Sequence, residues 1–165
     1  MIKVRPMLPK DRQPIYNILQ ETNMFTLAEI NVAMELIDIY LFNNEQHDYF
    51  IYVAENSSAG IAGYVCYGPT PATNGTFDIY WIAVAPIHQG KGVGKQLLFY
   101  VENQVMGRHG RLIIIETSSR DDYALTRQFY LNNKYQIAAQ IKDFYQPGDD
   151  RIIFLKYFKT QMGGS

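Results

Sequence analysis

A glycine-rich segment between an apolar strand and a helix is the feature that most restricts how this chain can fold. Residues 82–95 run from three apolar residues through a loop with three glycines into a sequence with helical periodicity. Glycine lets a backbone approach a ligand closely, and the first turn of a helix presents N–H groups that lack intrahelical partners. The segment therefore predicts a loop that binds phosphate or pyrophosphate. The residues expected at this group are Gln89, Gly90, Lys91, Gly92, Val93, Gly94 and Lys95.

Two other glycine-rich signatures do not fit this loop. A Walker A loop needs four residues between its first glycine and the Gly-Lys-Ser/Thr end, whereas Gly90 and Gly94 are separated by three and Lys95 is followed by Gln96. The dinucleotide fingerprint Gly-x-Gly-x-x-Gly needs uneven spacing, whereas these glycines are evenly spaced. A turn that only joins strand to helix is the structural alternative.

The composition predicts one globular domain without nucleic acid as its main partner. The chain has 165 residues, 47% of them hydrophobic, which is enough for one continuous core. We expect a single domain over residues 1–160 and a flexible tail over 161–165. With 15 basic and 16 acidic residues, the formal net charge is −1, which lacks the basic excess typical of nucleic-acid-binding proteins.

The cysteine and histidine content argues against disulfides and metal sites. Cys66 is the only cysteine and lies in an apolar run, so we expect a small buried side chain. The three histidines lack metal-ligand spacing and flank predicted loops, so we expect them to be solvated. The N-terminus lacks the apolar core of a signal peptide, and no apolar run is long enough to span a membrane. These features favour a cytoplasmic protein that does not bind a membrane.

The periodicity of apolar residues predicts the element order β-α-α-β-β-β-α-β-α-β-β. A capping box, Thr26 with Glu29, marks the start of the second helix. Hairpins need antiparallel pairing, while the helix after Val84 permits a parallel crossover, so we expect a mixed α/β sheet. The strands are predicted at 2–5, 49–55, 61–68, 76–84, 112–117, 135–144 and 152–158, and the helices at 9–21, 26–41, 91–106 and 123–132.

Taken together, these segments resemble the GNAT family of N-acetyltransferases. The family motif Gln/Arg-x-x-Gly-x-Gly/Ala is matched by Gln89, Gly92 and Gly94 after the strand 82–84. Residues 115–119 and 126–130 look like the next strand and helix of the family, and 144–150 looks like its closing hairpin. The resemblance covers nearly the whole chain, and within the family it is greatest to the branch of ribosomal-protein N-terminal acetyltransferases.

The resemblance implies a fold and a cofactor site. The fold would be a mixed, mostly antiparallel sheet of about six to seven strands, with helices on both faces and an opening between the fourth and fifth strands. Acetyl-CoA would be the cosubstrate, and no metal is implied. Its pyrophosphate would bind the amides from Gln89 to Lys95, and Tyr123, where many relatives carry Asn, would contribute to the same site. Its pantetheine arm would bond to the backbone of Ile82, Ala83 and Val84.

Two side chains are candidates for moving protons in such a reaction. Most amines arrive protonated near neutral pH, so a base is useful. Glu116 ends an apolar strand where several family members carry glutamate, and we expect burial there to raise its pKa. Tyr130 matches the family tyrosine whose hydroxyl lies near the CoA sulfur, and it would protonate the departing thiolate. A solvated or arginine-paired carboxylate and a plain core tyrosine are the respective structural alternatives.

One departure from the family pattern concerns the helix that carries Tyr130. The family usually places Gly-Phe after this helix, whereas this chain has Lys134-Tyr135. We therefore expect Asn132 or Asn133 to supply any left-handed cap, since asparagine tolerates that conformation.

These features predict an N-acetyltransferase that transfers acetyl from acetyl-CoA directly to a primary amine in a ternary complex. The acceptor would be a protein α-amine or a small-molecule amine, and a homodimer is compatible with the sequence. The main alternative is a non-catalytic domain that binds or senses acyl-CoA. A nucleotide-binding module is a more distant alternative.

Overall fold

The secondary structure follows the predicted order. The structure is a computed structural model that describes residues 1–159, so the tail predicted at 161–165 lies outside the described residues. The strands are β1 (Ile2–Pro6), β2 (Phe50–Asn56), β3 (Gly60–Pro69), β4 (Thr76–Val84), β5 (Leu112–Ser118), β6 (Gln136–Gln146) and β7 (Asp149–Tyr157). The helices are α1 (Arg12–Glu21), α2 (Leu27–Phe42), α3 (Val93–Gly107) and α4 (Ala124–Asn132).

The seven strands form one mixed sheet in the order β1-β2-β3-β4-β5-β7-β6. β4 and β5 are parallel, while β1 with β2, β2 with β3, β5 with β7 and β6 with β7 are antiparallel. The parallel register runs from Thr76 opposite Leu112 to Ile79 opposite Ile115. The paired register ends at this point. The predicted mixed α/β sheet is confirmed.

The chain forms two compact units. Among the described residues, the first consists of Met1–Gly68 and Tyr80–Asn103, and the second consists of Pro69–Ile79 and residues 104–159. β4 and α3 each begin in one unit and end in the other. The candidate loop at 89–95 belongs to the first unit, whereas Glu116 and Tyr130 belong to the second.

In the first unit, helices cover both faces of the strands. α1 and α2 share a buried core with alternate residues of β2 and β3, among them Ile51, Val53, Tyr64 and Cys66. On the other face, the Tyr52 ring lies 4.6 Å from the Tyr100 ring of α3. As predicted, Cys66 is buried, and its burial raises the pKa of the thiol. Helices on both faces were predicted and are confirmed for this unit.

The predicted start of α2 is confirmed by its cap. Thr26 has an extended backbone, and its hydroxyl accepts a hydrogen bond from the Glu29 N–H at 3.2 Å. This bond satisfies one of the donors that a helix start leaves without intrahelical partners. Ile30, Ala33 and Ile37 then face the core at helical spacing.

In the second unit, β5 and β7 carry the core and β6 forms the edge. Ile113, Ile115 and Phe154 are buried, and the Tyr130 ring of α4 packs 5.5 Å from the Phe154 ring. Every residue of β6 is exposed, and its register with β7 is irregular at two places. Such irregularities twist an edge strand and re-aim its side chains.

Among residues 1–159, no helix is both long enough and apolar enough to cross a membrane. Within the same residues, no three His, Cys, Asp or Glu side chains are grouped so that they could hold a metal ion.

Candidate functional site

The glycine loop has the backbone that a phosphate-binding turn needs. Gly90 and Gly92 have φ angles of 72° and 83°, in the left-handed region where a side chain is strained. A methyl group at either position would meet no protein atom within 4 Å. These glycines are therefore required by backbone conformation rather than by packing, and the space beside them is open to a ligand.

The start of α3 adds donors to this loop. The Gln96 N–H donates to the Gly92 carbonyl at 3.1 Å, which is the first hydrogen bond of the helix. The N–H groups of Val93, Gly94 and Lys95 precede that bond and carry the partial positive charge of a helix N-terminus. Consecutive donors of this kind suit an anion.

Two polar side chains of the loop donate to backbone carbonyls that lie just before it in the chain. Lys91 Nζ donates to the Ile87 carbonyl at 2.7 Å, and Gln89 Nε2 donates to the Val84 carbonyl at 3.1 Å. Lys95 Nζ lies 5.6 Å from the centre of the Phe99 ring. Both lysines are exposed, so their charges lie near the loop without being buried.

The strand before the loop is held very close to β3. A methyl group at Gly63 would lie 2.7 Å from the Ala83 carbonyl oxygen and 3.3 Å from Val84 Cα, so only glycine fits there. The Ala85 N–H donates to the Ala62 carbonyl at 2.8 Å. The Ala83 carbonyl thus faces β3. The Val84 carbonyl accepts the hydrogen bond from Gln89 Nε2, so a ligand amide that bonds to Val84 would have to share or replace that bond.

The prediction that all three histidines are solvated is wrong for His88. This residue lies in a short 3-10 turn, Pro86–His88, and is only 8% exposed. Its Nε2 atom is buried and has no hydrogen-bond partner among residues 1–159. The tight turn folds the side chain inward immediately before the loop, which sequence position alone did not indicate.

The expected burial of Glu116 is also wrong. Its side chain is 40% exposed, and its Oε1 atom forms an ion pair with Nη2 of Arg151 on β7. The carboxylate points away from the buried face formed by Ile113, Ile115 and Thr117, because side chains alternate along a strand. This is the arginine-paired carboxylate of the structural alternative, and the role of Glu116 as a base stays a prediction. A guanidinium partner favours the anionic form of a carboxylate, which is the form that can accept a proton.

Tyr130 is buried in a cluster of aromatic rings. It is 3% exposed, and its ring lies 5.5 Å from Phe129 and 6.0 Å from Tyr135, in addition to its contact with Phe154. Burial, with a smaller contribution from Tyr123, raises the pKa of the Tyr130 phenol. The phenol is therefore protonated at neutral pH. Its packing also fits the alternative of a core tyrosine, so its role as an acid stays a prediction.

The left-handed residue after α4 is Lys134, so the expectation of Asn132 or Asn133 is wrong. Lys134 has a φ of 72°. The Lys134 N–H donates to the Leu131 carbonyl at 3.1 Å, and the Tyr135 N–H donates to the Tyr130 carbonyl at 3.0 Å. These two bonds define a Schellman cap. Asn133 contributes differently, since its side chain donates to the Phe129 carbonyl at 2.7 Å.

Tyr123 lies at the entrance of α4, and Arg120 stacks on it. The Tyr123 side chain is half-buried, and the Arg120 guanidinium lies 5.1 Å from the centre of its ring. Its expected contact with the cofactor stays a prediction.

Sequence reasoning missed a polar network beside Tyr123. Ser118 donates to the buried carboxylate of Asp149, and Arg127 Nη1 donates to the carbonyls of Ser118 and Arg120 at 2.9 and 2.7 Å. The network joins the end of β5 to the start of β7. No local pattern indicates this network, because Asp149 on β7 becomes the partner of Ser118 only once the strands pair.

Residues 12–132 match the model of the Acetyltransferase (GNAT) family. The chain belongs to this family. GNAT acetyltransferases use acetyl-CoA as the acyl donor. The predicted family is therefore confirmed, and with it the cosubstrate that the family uses.

Solved GNAT structures share the fold. A protein from Desulfovibrio desulfuricans assigned to the GNAT family is 41% identical, with a TM-score of 0.90 over 95% of this chain and 99% of that one. The Escherichia coli ribosomal-protein-S18-alanine N-acetyltransferase is 17% identical, with a TM-score of 0.75 and 98% of each chain covered. An aminoglycoside 6′-N-acetyltransferase complexed with coenzyme A is 15% identical, with a TM-score of 0.72 over 94% and 96%. No curated protein matched the sequence.

Proposed function

We propose that this GNAT protein is an N-acetyltransferase that transfers the acetyl group of acetyl-CoA directly to a primary amine. The acceptor is a protein α-amine or a small-molecule amine, and both substrates are bound when transfer occurs. The observation that carries the proposal is the loop of the first unit. Gly90 and Gly92 have left-handed backbones beside open space, and the first N–H groups of α3, which lack intrahelical partners, follow directly. This arrangement suits the pyrophosphate of coenzyme A.

The proposed reaction requires three proton transfers. The acceptor arrives mainly as an ammonium ion, because primary amines titrate near or above pH ~8. The Glu116 carboxylate takes a proton from it, directly or through water, and the neutral amine attacks the thioester carbonyl carbon. When the tetrahedral intermediate collapses, the C–S bond breaks and the Tyr130 phenol protonates the departing thiolate. The nitrogen then loses its second proton, which returns to the Tyr130 phenolate directly or through water. The products are an N-acetylated amine and coenzyme A.

Both acceptor classes have precedent among structures with this fold. One neighbour is named for the alanine of a ribosomal protein and another for an aminoglycoside, although at 17% and 15% identity their likeness to this chain shows the fold alone. The alternative, a non-catalytic domain that binds acyl-CoA, would need the cofactor loop but no proton-transfer residues. The presence of a carboxylate and a protonated phenol at Glu116 and Tyr130 favours the enzyme.

An amine panel tests the proposal. Purified protein is given acetyl-CoA with peptides bearing free α-amines, lysine peptides, polyamines, amino acids and aminoglycosides, and released thiol is measured, followed by the mass of each product. We expect turnover with at least one class and a product heavier by one acetyl group. Binding of acetyl-CoA without acetylation of any amine would favour the sensing domain. A melting temperature raised by ATP and not by coenzyme A would favour the nucleotide-binding module.

A further inference from the structure

Arg151 joins three parts of the second unit through one side chain. Its guanidinium pairs with the Glu116 carboxylate at the end of β5 and lies 4.7 Å from the centre of the Phe144 ring on β6. Arg151 itself belongs to β7, which lies between these two strands. A carboxylate, a guanidinium and an aromatic ring therefore follow one another across neighbouring strands.

Strand pairing explains why these side chains meet. Arg151 lies directly opposite Ser118, and Glu116 is two residues before Ser118 on the same strand. Directly paired residues share a face of the sheet, as do residues two apart in one strand, so Glu116 and Arg151 are diagonal neighbours. On the other side, the register of β6 is irregular between Ile141 and Gln146, and Phe144 lies in this irregular part.

The chemistry of arginine suits this arrangement. A guanidinium is planar and always charged, so it can hold a carboxylate with its edge while an aromatic ring covers its face. The Arg151 side chain is 23% exposed, less than the 40% of Glu116. Its Nε atom is buried without a hydrogen-bond partner among residues 1–159, so the charged end of the side chain interacts mainly through the Nη atoms. The less exposed guanidinium is thus the anchor, and the more exposed carboxylate is the group that it holds.

We propose that Arg151 is a positioning residue for the general base Glu116. It holds the carboxylate at the end of β5 as an anion, and the Phe144 ring limits the movement of the guanidinium. A carboxylate has two oxygens, so Oε1 can stay on Arg151 while Oε2 takes the proton of the acceptor ammonium. This inference rests on the proposed function of Glu116 and adds two residues that neither the glycine loop nor the family motif contains.

A double-mutant cycle tests the proposal. Arg151→Gln is made in the wild type and in Glu116→Gln, and kcat and KM are measured with the best acceptor of the amine panel. In the wild type we expect kcat to fall about tenfold with little change in KM for acetyl-CoA. In the Glu116→Gln background we expect no further loss, because residues that act as a unit are not additive. Arg151→Lys should restore part of the rate, since lysine keeps the charge but loses the planar edge.

A matched control and a second variant complete the experiment. Arg12→Gln removes another arginine that forms a bidentate pair, with Asp38 at 2.7 and 2.9 Å, in the first unit, and it should leave kcat unchanged. Phe144→Leu should lower kcat about threefold, and only when Glu116 is present. If thermal unfolding shows that Arg151→Gln does not fold, the same cycle is run with Arg151→Lys and Phe144→Leu.

Several outcomes would overturn the proposal, and they differ from a failure of the proposed function. If Arg151→Gln lowers kcat by the same factor in the wild type and in the Glu116→Gln background, Arg151 has a structural role only. If either Arg151→Gln or Glu116→Gln has the kinetics of the wild type, Arg151 does not act by positioning Glu116. Neither result would contradict acetyl transfer. Failure of the wild type to acetylate any amine of the panel would instead reject the proposed function, and with it the reaction that Arg151 would serve.

Discussion

The hydroxyl of Tyr130 is the one part of that side chain that the fold does not need for packing. Its ring contacts Phe129, Tyr135 and Phe154, and these contacts would all remain in Tyr130→Phe. We expect this variant to fold normally and to bind acetyl-CoA with unchanged affinity. Its kcat should fall about 100-fold, because the thiolate would leave without its acid. Steady-state kinetics and titration with coenzyme A measure the two quantities.

Tyr64→Phe is the matched control for this prediction. Tyr64 is fully buried in the core of the first unit, and its hydroxyl has no hydrogen-bond partner among residues 1–159. Removing that hydroxyl should leave kcat unchanged. Equal kinetics for Tyr130→Phe and the wild type would remove Tyr130 from the mechanism.

The residues of the candidate site differ in how far the sequence could predict them. Gly90 and Gly92 were predictable, because their conformation is local and the spacing of glycines records it. The surroundings of Glu116 were not, because Arg151 lies far along the chain and reaches Glu116 only through the pairing of β5 with β7. The burial of His88 was not predictable for a similar reason, since the turn that buries its side chain has no sequence signature beyond Pro86.

At the scale of elements, the helix ends were the least predictable part. After α3, the left-handed residue is His109, with a φ of 59°, although Gly110 follows it directly. Gly110 is required for space instead, since a methyl group there would lie 2.3 Å from Val105 Cγ1. A glycine needed for its conformation and a glycine needed for its size look alike in a sequence. By contrast, β4 has the predicted bounds, because its apolar and aromatic residues end at Ala85-Pro86.

The cap of α4 yields a stability prediction. Lys134 occupies a left-handed position that costs a side chain about 1–2 kcal/mol relative to glycine. Lys134→Gly should therefore stabilise the protein by about 0.5–1 kcal/mol, after allowance for the greater freedom of glycine in the unfolded chain. Urea unfolding monitored by circular dichroism measures the change. Gln128→Gly, in the middle of α4, should destabilise by a similar amount, and a loss of stability in both variants would contradict the assigned cap.

At the scale of the whole molecule, ion pairs connect distant parts of the chain. Arg5 on β1 binds Asp11 before α1 at 2.7 Å and Glu55 on β2 at 2.8 Å. Asp11 is 2% exposed, and its carboxylate also accepts the Leu8 N–H at 2.8 Å. This network holds the start of α1 against the edge of the sheet, where the hydrophobic pattern alone leaves the approach of the helix unspecified. A buried carboxylate of this kind depends on its partner, because burial of an unpaired charge is costly.

The same carboxylates predict that the protein loses stability in acid. Burial by itself raises the pKa of Asp11, but its hydrogen bonds from Arg5 and Leu8 outweigh this, so the net shift is downward. Hydrogen bonds from arginine also lower the pKa values of Asp38 and Glu55, and bonds from Asp143 and Gln140 lower that of Asp150. In each case the unfolded chain binds its proton at a higher pH than the folded protein does.

This difference sets the sign of the pH dependence. The stabilisation is complete above the unfolded carboxyl values near pH ~4 and is lost as the pH falls through the lower folded values. The free energy of unfolding, measured in urea, should therefore be constant from pH 7 to 5 and should decrease steadily below pH 4. Arg5→Gln should be less stable at pH 7 and should show a weaker decrease in acid, because the partner that lowers the pKa values of Asp11 and Glu55 is gone. A decrease as steep as that of the wild type would show that the Arg5 network does not set the acid sensitivity.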